Sequence, residues 1–324
     1  MTVGYLSTAG EELVLESELP WVGDLIAEGA AGELSRRPPS RQPTVCVRVE
    51  AERQPFDTRG WDFLTRGAWS SGEETVVANA CTSGFDVHVE ARAEVSRFTF
   101  RWRPPARDRA AARVLRSRFH LLARAVLMQY PALWWAGTRG RVPLHASACG
   151  VGPKIQLFTA PSGVGRSTLL LQNGGRATTG DNLAVGDGTL VWGLVEPARV
   201  EGAAGRKMAH GRSEVAVANR VSPLAPEAVV VLARAHGREP KLVPCSSNQV
   251  ARSLVTSTYM AGELRRYWAF AATLSAGTGV GPAHPPVADV AAAFAGRLPC
   301  FVLELGAKSD SALAELAIPA EVAA

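Results

Sequence analysis

Within one stretch, between Leu144 and Asn182, the chain carries an imidazole (His145), a guanidinium beside a hydroxyl (Arg166-Ser167) and a carboxylate (Asp181). Residues Ala160 to Ser167 read Ala-Pro-Ser-Gly-Val-Gly-Arg-Ser, close to the spacing G-x-x-x-x-G-K-[S/T]. A loop of this kind between a strand and a helix turns backbone N–H groups toward one point, where the helix N-terminus adds partial positive charge. Pro161, Ser162, Gly163, Val164, Gly165, Arg166, Ser167 and Thr168 are therefore candidate phosphate-binding residues. Two positions depart from the spacing. Ala160 replaces the first glycine, which is tolerated unless that position needs positive φ. Arg166 replaces the lysine, keeping the charge but exchanging a compact ammonium for a planar fork.

Each chemical reading has a plain alternative. Ser167 is placed to put its hydroxyl on Mg²⁺, or is an ordinary first-turn serine. Asp181 is placed to hold Mg²⁺ through water or to take the proton of an attacking hydroxyl, or is a turn aspartate after Gly180. His145 on a strand is by itself a structural histidine. Glu196 is a further candidate metal ligand, and Arg206-Lys207 or Arg212 could add positive charge to the loop.

The elements that must position these groups follow from patterning. Lys154 to Ala160 is β-rich, Pro161 to Gly165 interrupts it, and Ser167 to Leu171 begins a helix-compatible run. Asp181 is expected at the end of a strand running beside the strand before the loop. Strands over 189–194, 227–233, 240–243 and 300–305 alternate with helices over 247–259 (capped by Ser246 or Ser247), 263–274 and 287–297, with a last helix after Asp310. This alternation predicts an α/β core over residues 141–324. Upstream, period-two segments such as Phe85–Glu90 and Phe98–Arg103, with further strands over 12–18, 44–52 and 74–80, predict a smaller, mostly β module over residues 1–104. Its helix is expected over 21–34 and an exposed linker over 36–43. Val114, Leu115, Phe119, Leu122, Val126 and Leu127 form an apolar stripe, so one helix is predicted over 107–130, ended by Pro131. Residues 105–140 read as a bridging helix and linker.

The order Leu144-His145-Ala146, then Ser162-Gly163-Val164-Gly165-Arg166-Ser167, then Asp181-Asn182-Leu183 resembles the HPr kinase/phosphorylase-like family, over about Leu133 to Leu305. It is most similar to the HPr-kinase-related bacterial kinases associated with small peptide chaperones. The resemblance implies a P-loop (Walker A) nucleotide-binding core using ATP and Mg²⁺. Asp181 would be the base, with Ser167 and Asp181 the metal ligands. Arg166 would stand at the phosphate-loop lysine, and His145 would orient the acid or contact the transferred phosphoryl group. Asn182 stands where the family has a second aspartate, and the family's R-G-L-G context is not found, so neither the reverse activity nor the acceptor side is implied. The function this implies is transfer of the γ-phosphate to a Ser or Thr hydroxyl of a protein or ribosomal peptide, with a small peptide-chaperone protein as a further partner. The alternatives are a nucleotide-binding module without chemistry, acting as scaffold or regulator, and a structural protein with an accidental glycine-rich turn.

Composition narrows the classes. The chain has 324 residues, 47% of them apolar, enough for one large domain or two modest ones. Its net charge of +5 is carried almost wholly by arginine spread along the chain, which gives no nucleic-acid signal. Five separated cysteines without a C-x-x-C pair favour reduced thiols over a zinc site or disulfide frame. There is no secretory pattern and no apolar run of the roughly 18 residues a membrane span needs, so a cytoplasmic protein with no membrane partner is expected. Homo-oligomerisation is left open.

Overall fold

The computed structural model describes residues 1–161, 163–172, 176–180, 182–201, 204–208, 211–235 and 239–306. Ser162, Asp181 and the helix expected after Asp310 lie outside the described residues. In chain order the first elements are β1 (Thr2–Thr8), β2 (Glu11–Ser17), α1 (Pro20–Gly29), β3 (Val45–Glu50), β4 (Asp62–Thr65), β5 (Ala68–Ser70), β6 (Glu74–Val77), β7 (Phe85–Arg92) and β8 (Val95–Trp102). Next come α2 (Ala106–Val114), α3 (Arg116–Arg124), α4 (Tyr130–Thr138), β9 (Val142–Leu144), β10 (Ala146–Val151), β11 (Lys154–Thr159) and α5 (Arg166–Gln172). Then follow β12 (Ala184–Gly186), β13 (Val191–Gly193), β14 (Ala198–Glu201), β15 (Arg206–Lys207), β16 (Arg212–Val215), β17 (Ala228–Arg234) and β18 (Lys241–Pro244). The last are α6 (Ser247–Met260), α7 (Tyr267–Thr278), α8 (Val287–Arg297) and β19 (Cys300–Leu305). The protein is mixed α/β, and its contacts divide it into two compact units.

The first unit contains Met1–Gly140 together with Arg266–Pro285. Its eight-stranded sheet runs β1-β2-β3-β8-β7-β6-β5-β4, with β3 parallel to both β2 and β8. Alternating residues make it: Phe98 and Phe100 of β8 and Val87 and Val89 of β7 are fully buried, while their neighbours are polar. Helix α7 packs on β5, β6 and β7 although it lies far along the chain. Gly277 makes the approach close: a Cβ there would sit 2.3 Å from Thr75 Oγ1 and 2.7 Å from Leu64 Cδ1.

The single helix expected over 107–130 is broken. Leu115, at φ −106° and ψ 48°, leaves helical geometry and separates α2 from α3. Residues 125–129 form a π-helical turn, and α4 runs on through Pro131. A proline in the first turn of a helix lacks only an N–H that had no helical acceptor, so it does not terminate the segment. Val114 and Leu115, read as part of an apolar stripe, are 82% and 46% exposed, and α2 buries no side chain.

The second unit comprises Arg141–Lys207, Gly211–Arg265 and the described residues from Pro286 onward. Its main sheet runs β10-β11-β17-β19-β18: the three central strands are parallel and the two edges antiparallel. The parallel strands read as continuous apolar runs (Ala228–Leu232, Cys300–Leu303), as strands covered on both faces do. Leu169 and Leu170 of α5 join Phe158, Val230, Leu232, Phe301 and Leu303 in one core cluster, while α6 packs on β11, β17 and β19. Ser246 caps α6, its Oγ accepting from the Gln249 amide at 3.2 Å. Two small antiparallel sheets, β13-β12-β9 and β14-β16-β15, complete the unit.

Candidate functional site

The glycine-rich loop leaves β11 at the carboxyl end of the parallel strands, where open α/β sheets place their ligand crevices. Gly163 (φ 85°) and Gly165 (φ 116°) hold left-handed backbone that a side chain would strain. Ala160 needs no such conformation; it is buried in the core cluster, which is why alanine serves there. Leu169 donates its amide to the Gly165 carbonyl at 3.0 Å to open α5. Arg234, at the end of β17, donates to the Gly163 carbonyl at 3.0 Å and ties the loop to the neighbouring strand.

Arg166 is buried and turned toward the sheet. Its Nη1 donates to the His145 carbonyl at 2.7 Å, and its Nη2 lies 2.8 Å from His145 Nε2 and also donates to Asn182 Oδ1. A guanidinium only donates, so His145 Nε2 must be the lone-pair nitrogen and the ring's proton sits on Nδ1. Burial, then the Arg166 charge, pushes the His145 imidazole down to about 4, so the ring is neutral near pH 7. Thr258 Oγ1 accepts from the His145 amide at 3.0 Å, and the Thr159 hydroxyl donates to the His145 carbonyl at 3.2 Å.

The contacts continue from Asn182. Its Nδ2 donates to Glu263 Oε1 at 3.0 Å, so the amide's orientation is set by a donor on one side and an acceptor on the other. An aspartate at 182 could not make the second contact. Arg199 donates to Glu263 at 2.9 Å and to Glu196 Oε2 at 3.1 Å, and Arg220 donates to the Glu196 carbonyl. Burial raises the Glu263 carboxyl, but Arg199 and the hydrogen bonds outweigh it and hold the group below the usual range. A cavity of about 170 Å³ is lined by Gly163, Gly165, Ser167 and Thr168 on the loop side. Arg166, Arg199, Arg212 and Arg234 also line it, together with Glu196, Glu201 and Glu263.

The structure thus brings His145, Pro161, Gly163, Gly165, Arg166, Ser167 and Thr168 to one cavity. Val164 faces two neighbouring hollows and packs against the core cluster instead. Glu196 and Arg212 line the cavity, whereas Arg206 and Lys207, on β15, are not among its lining residues. The segment before Asp181 does not run beside β11 as expected: β10 and β17 occupy both sides of that strand, and Thr178 bridges instead to Cys149 on β10 and to Arg220. The hairpin return of β10 takes the position that a crossover strand would need. Sequence reasoning missed Arg199, Arg234 and Glu263, which arrive from separate elements with no local motif. The helix expected over 263–274 begins only at Tyr267, so Glu263 lies in the connection before α7. Comparison of the chain with protein-family models and with curated proteins gives no match.

Proposed function

We propose that the second unit binds a nucleoside triphosphate at the 160–168 loop and transfers its γ-phosphate to a hydroxyl of a protein or peptide. The observation that carries this reading is the cavity itself. A glycine-rich loop with two left-handed positions shares one cavity with Arg199, Arg212 and Arg234 at the carboxyl end of parallel strands. Among the described residues Arg212 and Arg234 line the cavity without forming an ion pair, so their guanidinium forks can take the oxygens of a polyphosphate. The HPr kinase-like resemblance assigns Asp181 as the base that takes the hydroxyl proton and Ser167 to the metal.

The donor set fits Mg²⁺. Ser167, Glu196 and Asp181 offer only hard oxygen donors. Among the described residues no group of three or more His, Cys, Asp or Glu side chains could hold a metal. Mg²⁺ takes one or two carboxylates and completes its shell with water and substrate phosphates, so it needs no such cage. When bound it would neutralise charge on the transferring group. The chain's own part is positioning: neutral His145 holds Arg166, and Arg166 holds the start of α5 against Asn182.

A second reading, a nucleotide-binding module without transfer, is favoured by one specific feature. The Arg166 fork is bonded to His145 and Asn182, and so turned away from the loop. Titration calorimetry with ATP and Mg²⁺ tests binding, and γ-³²P-ATP with candidate peptides tests transfer. No heat with ATP or GTP rejects both readings; binding without label transfer leaves the second.

A further inference from the structure

A second hollow, of about 860 Å³, lies wholly in the first unit between the end of β8, the α2–α3 segment and Trp21. We propose that it docks an acidic peptide segment through carboxylates and one apolar side chain. This does not depend on the nucleotide reading.

The walls are basic. Arg53, Arg103, Arg109, Arg113 and Arg116 line the hollow, and none of its lining residues is a carboxylate. Arg103 is paired with Asp86, and the Arg109 guanidinium donates to the Pro104 carbonyl at 3.4 Å. Arg53, Arg113 and Arg116 are exposed, and among the described residues they pair with no carboxylate. Eight arginines and one aspartate occur from Arg101 to Arg124 (Arg101, Arg103, Arg107, Arg109, Arg113, Arg116, Arg118 and Arg124 against Asp108). Unpaired like charges on one wall repel, and guanidinium forks match carboxylates bidentately.

The floor is apolar. Trp21, Trp102 and Phe119 pack against one another with centroids 5.3 to 6.2 Å apart. Their planes meet at 38° to 70°, so they present edges and one tilted face rather than parallel faces. That geometry receives an aliphatic or aromatic side chain but gives successive bases no stacking platform, which favours a peptide over a single-stranded nucleic acid.

Helix α2 supplies the third argument. It is nine residues long, buries no side chain, and ends in the exposed Val114. Isolated helices of this length are marginal in water and usually rely on a packed face. A segment lying in the hollow would cover α2 and neutralise its arginines together.

The test is fluorescence anisotropy with the full chain, in the absence of nucleotide. The probes are a labelled Glu-rich peptide with a central Leu pair, its Glu-to-Gln and Leu-to-Ser counterparts, and a labelled single-stranded oligonucleotide. The Glu/Leu peptide should bind most tightly and release with added salt. The double variant Arg113→Glu/Arg116→Glu, and separately Arg53→Glu on another element, should each weaken it by roughly tenfold or more with an unchanged circular dichroism spectrum. Tighter binding of the oligonucleotide, no preference for Glu over Gln, or affinity unchanged by both variants would overturn the proposal. Because no ATP is present, failure of the nucleotide reading leaves this outcome untouched.

Discussion

At residue scale the site turns on the two departures from the phosphate-loop spacing and its surroundings, Arg166 and Asn182. They are neighbours: the arginine fork reaches both the His145 carbonyl and the Asn182 amide oxygen, and the same amide donates to Glu263. A lysine brings a single nitrogen where the fork uses two. Arg166→Lys should therefore lower stability by about 1–3 kcal/mol in urea unfolding, because a buried acceptor loses its donor. The same variant should raise phosphoryl transfer if the arginine is what impairs it, which labelled ATP would report. His145 gives a pH dependence. Its folded value lies near 4, below the unfolded value near 6.5, so the unfolded chain binds the extra proton between them. Stability should fall as pH drops from about 6.5 toward about 4, by up to roughly 3 kcal/mol from this group. Urea melts across that window should show a shallower fall in His145→Gln. The loop and Arg166 were legible in the sequence because their spacing is local, whereas His145 was singled out only through the HPr kinase-like resemblance. Glu263 and Arg199 were not, because only tertiary folding brings an α6–α7 connection and β14 to the loop.

At element scale, β7, β8, β11, β17 and β19 were readable because strands buried on one or both faces carry period-two or continuous apolar patterns. The 107–130 region departs from the single helix its sequence predicts for an equally physical reason. Its arginine spacing and alanines satisfy helix propensity throughout, while the break at Leu115 depends on which side chains find a core. Helix α7 is nearly apolar all round, with Tyr267, Phe270, Ala271 and Leu274 buried, so its pattern could not say which sheet it covers. Gly277 decides the closeness of that packing. Gly277→Leu should drive side-chain atoms into Thr75 and Leu64 and cost about 1–3 kcal/mol, read as a lowered Tm, whereas Gly296→Ala on α8, where a Cβ meets nothing within 4 Å, should be near neutral.

At the scale of the whole molecule, no helix among the described residues is long and apolar enough to cross a membrane. All five cysteines are free thiols. Burial pushes Cys81 and Cys149 up to about 12 and Cys300 up to about 11. These thiols should stay protonated at pH 8 and react slowly with an aromatic disulfide reagent, while the urea-unfolded chain should titrate all five promptly. The discontinuity of the first unit was the least legible feature, since composition changes little where the chain passes between units.

That discontinuity has a temporal side. Residues 266–285 leave the ribosome only after the whole stretch from Arg141 to Arg265 has been made. The nascent N-terminal sheet must wait through that interval without the helix that covers β5, β6 and β7.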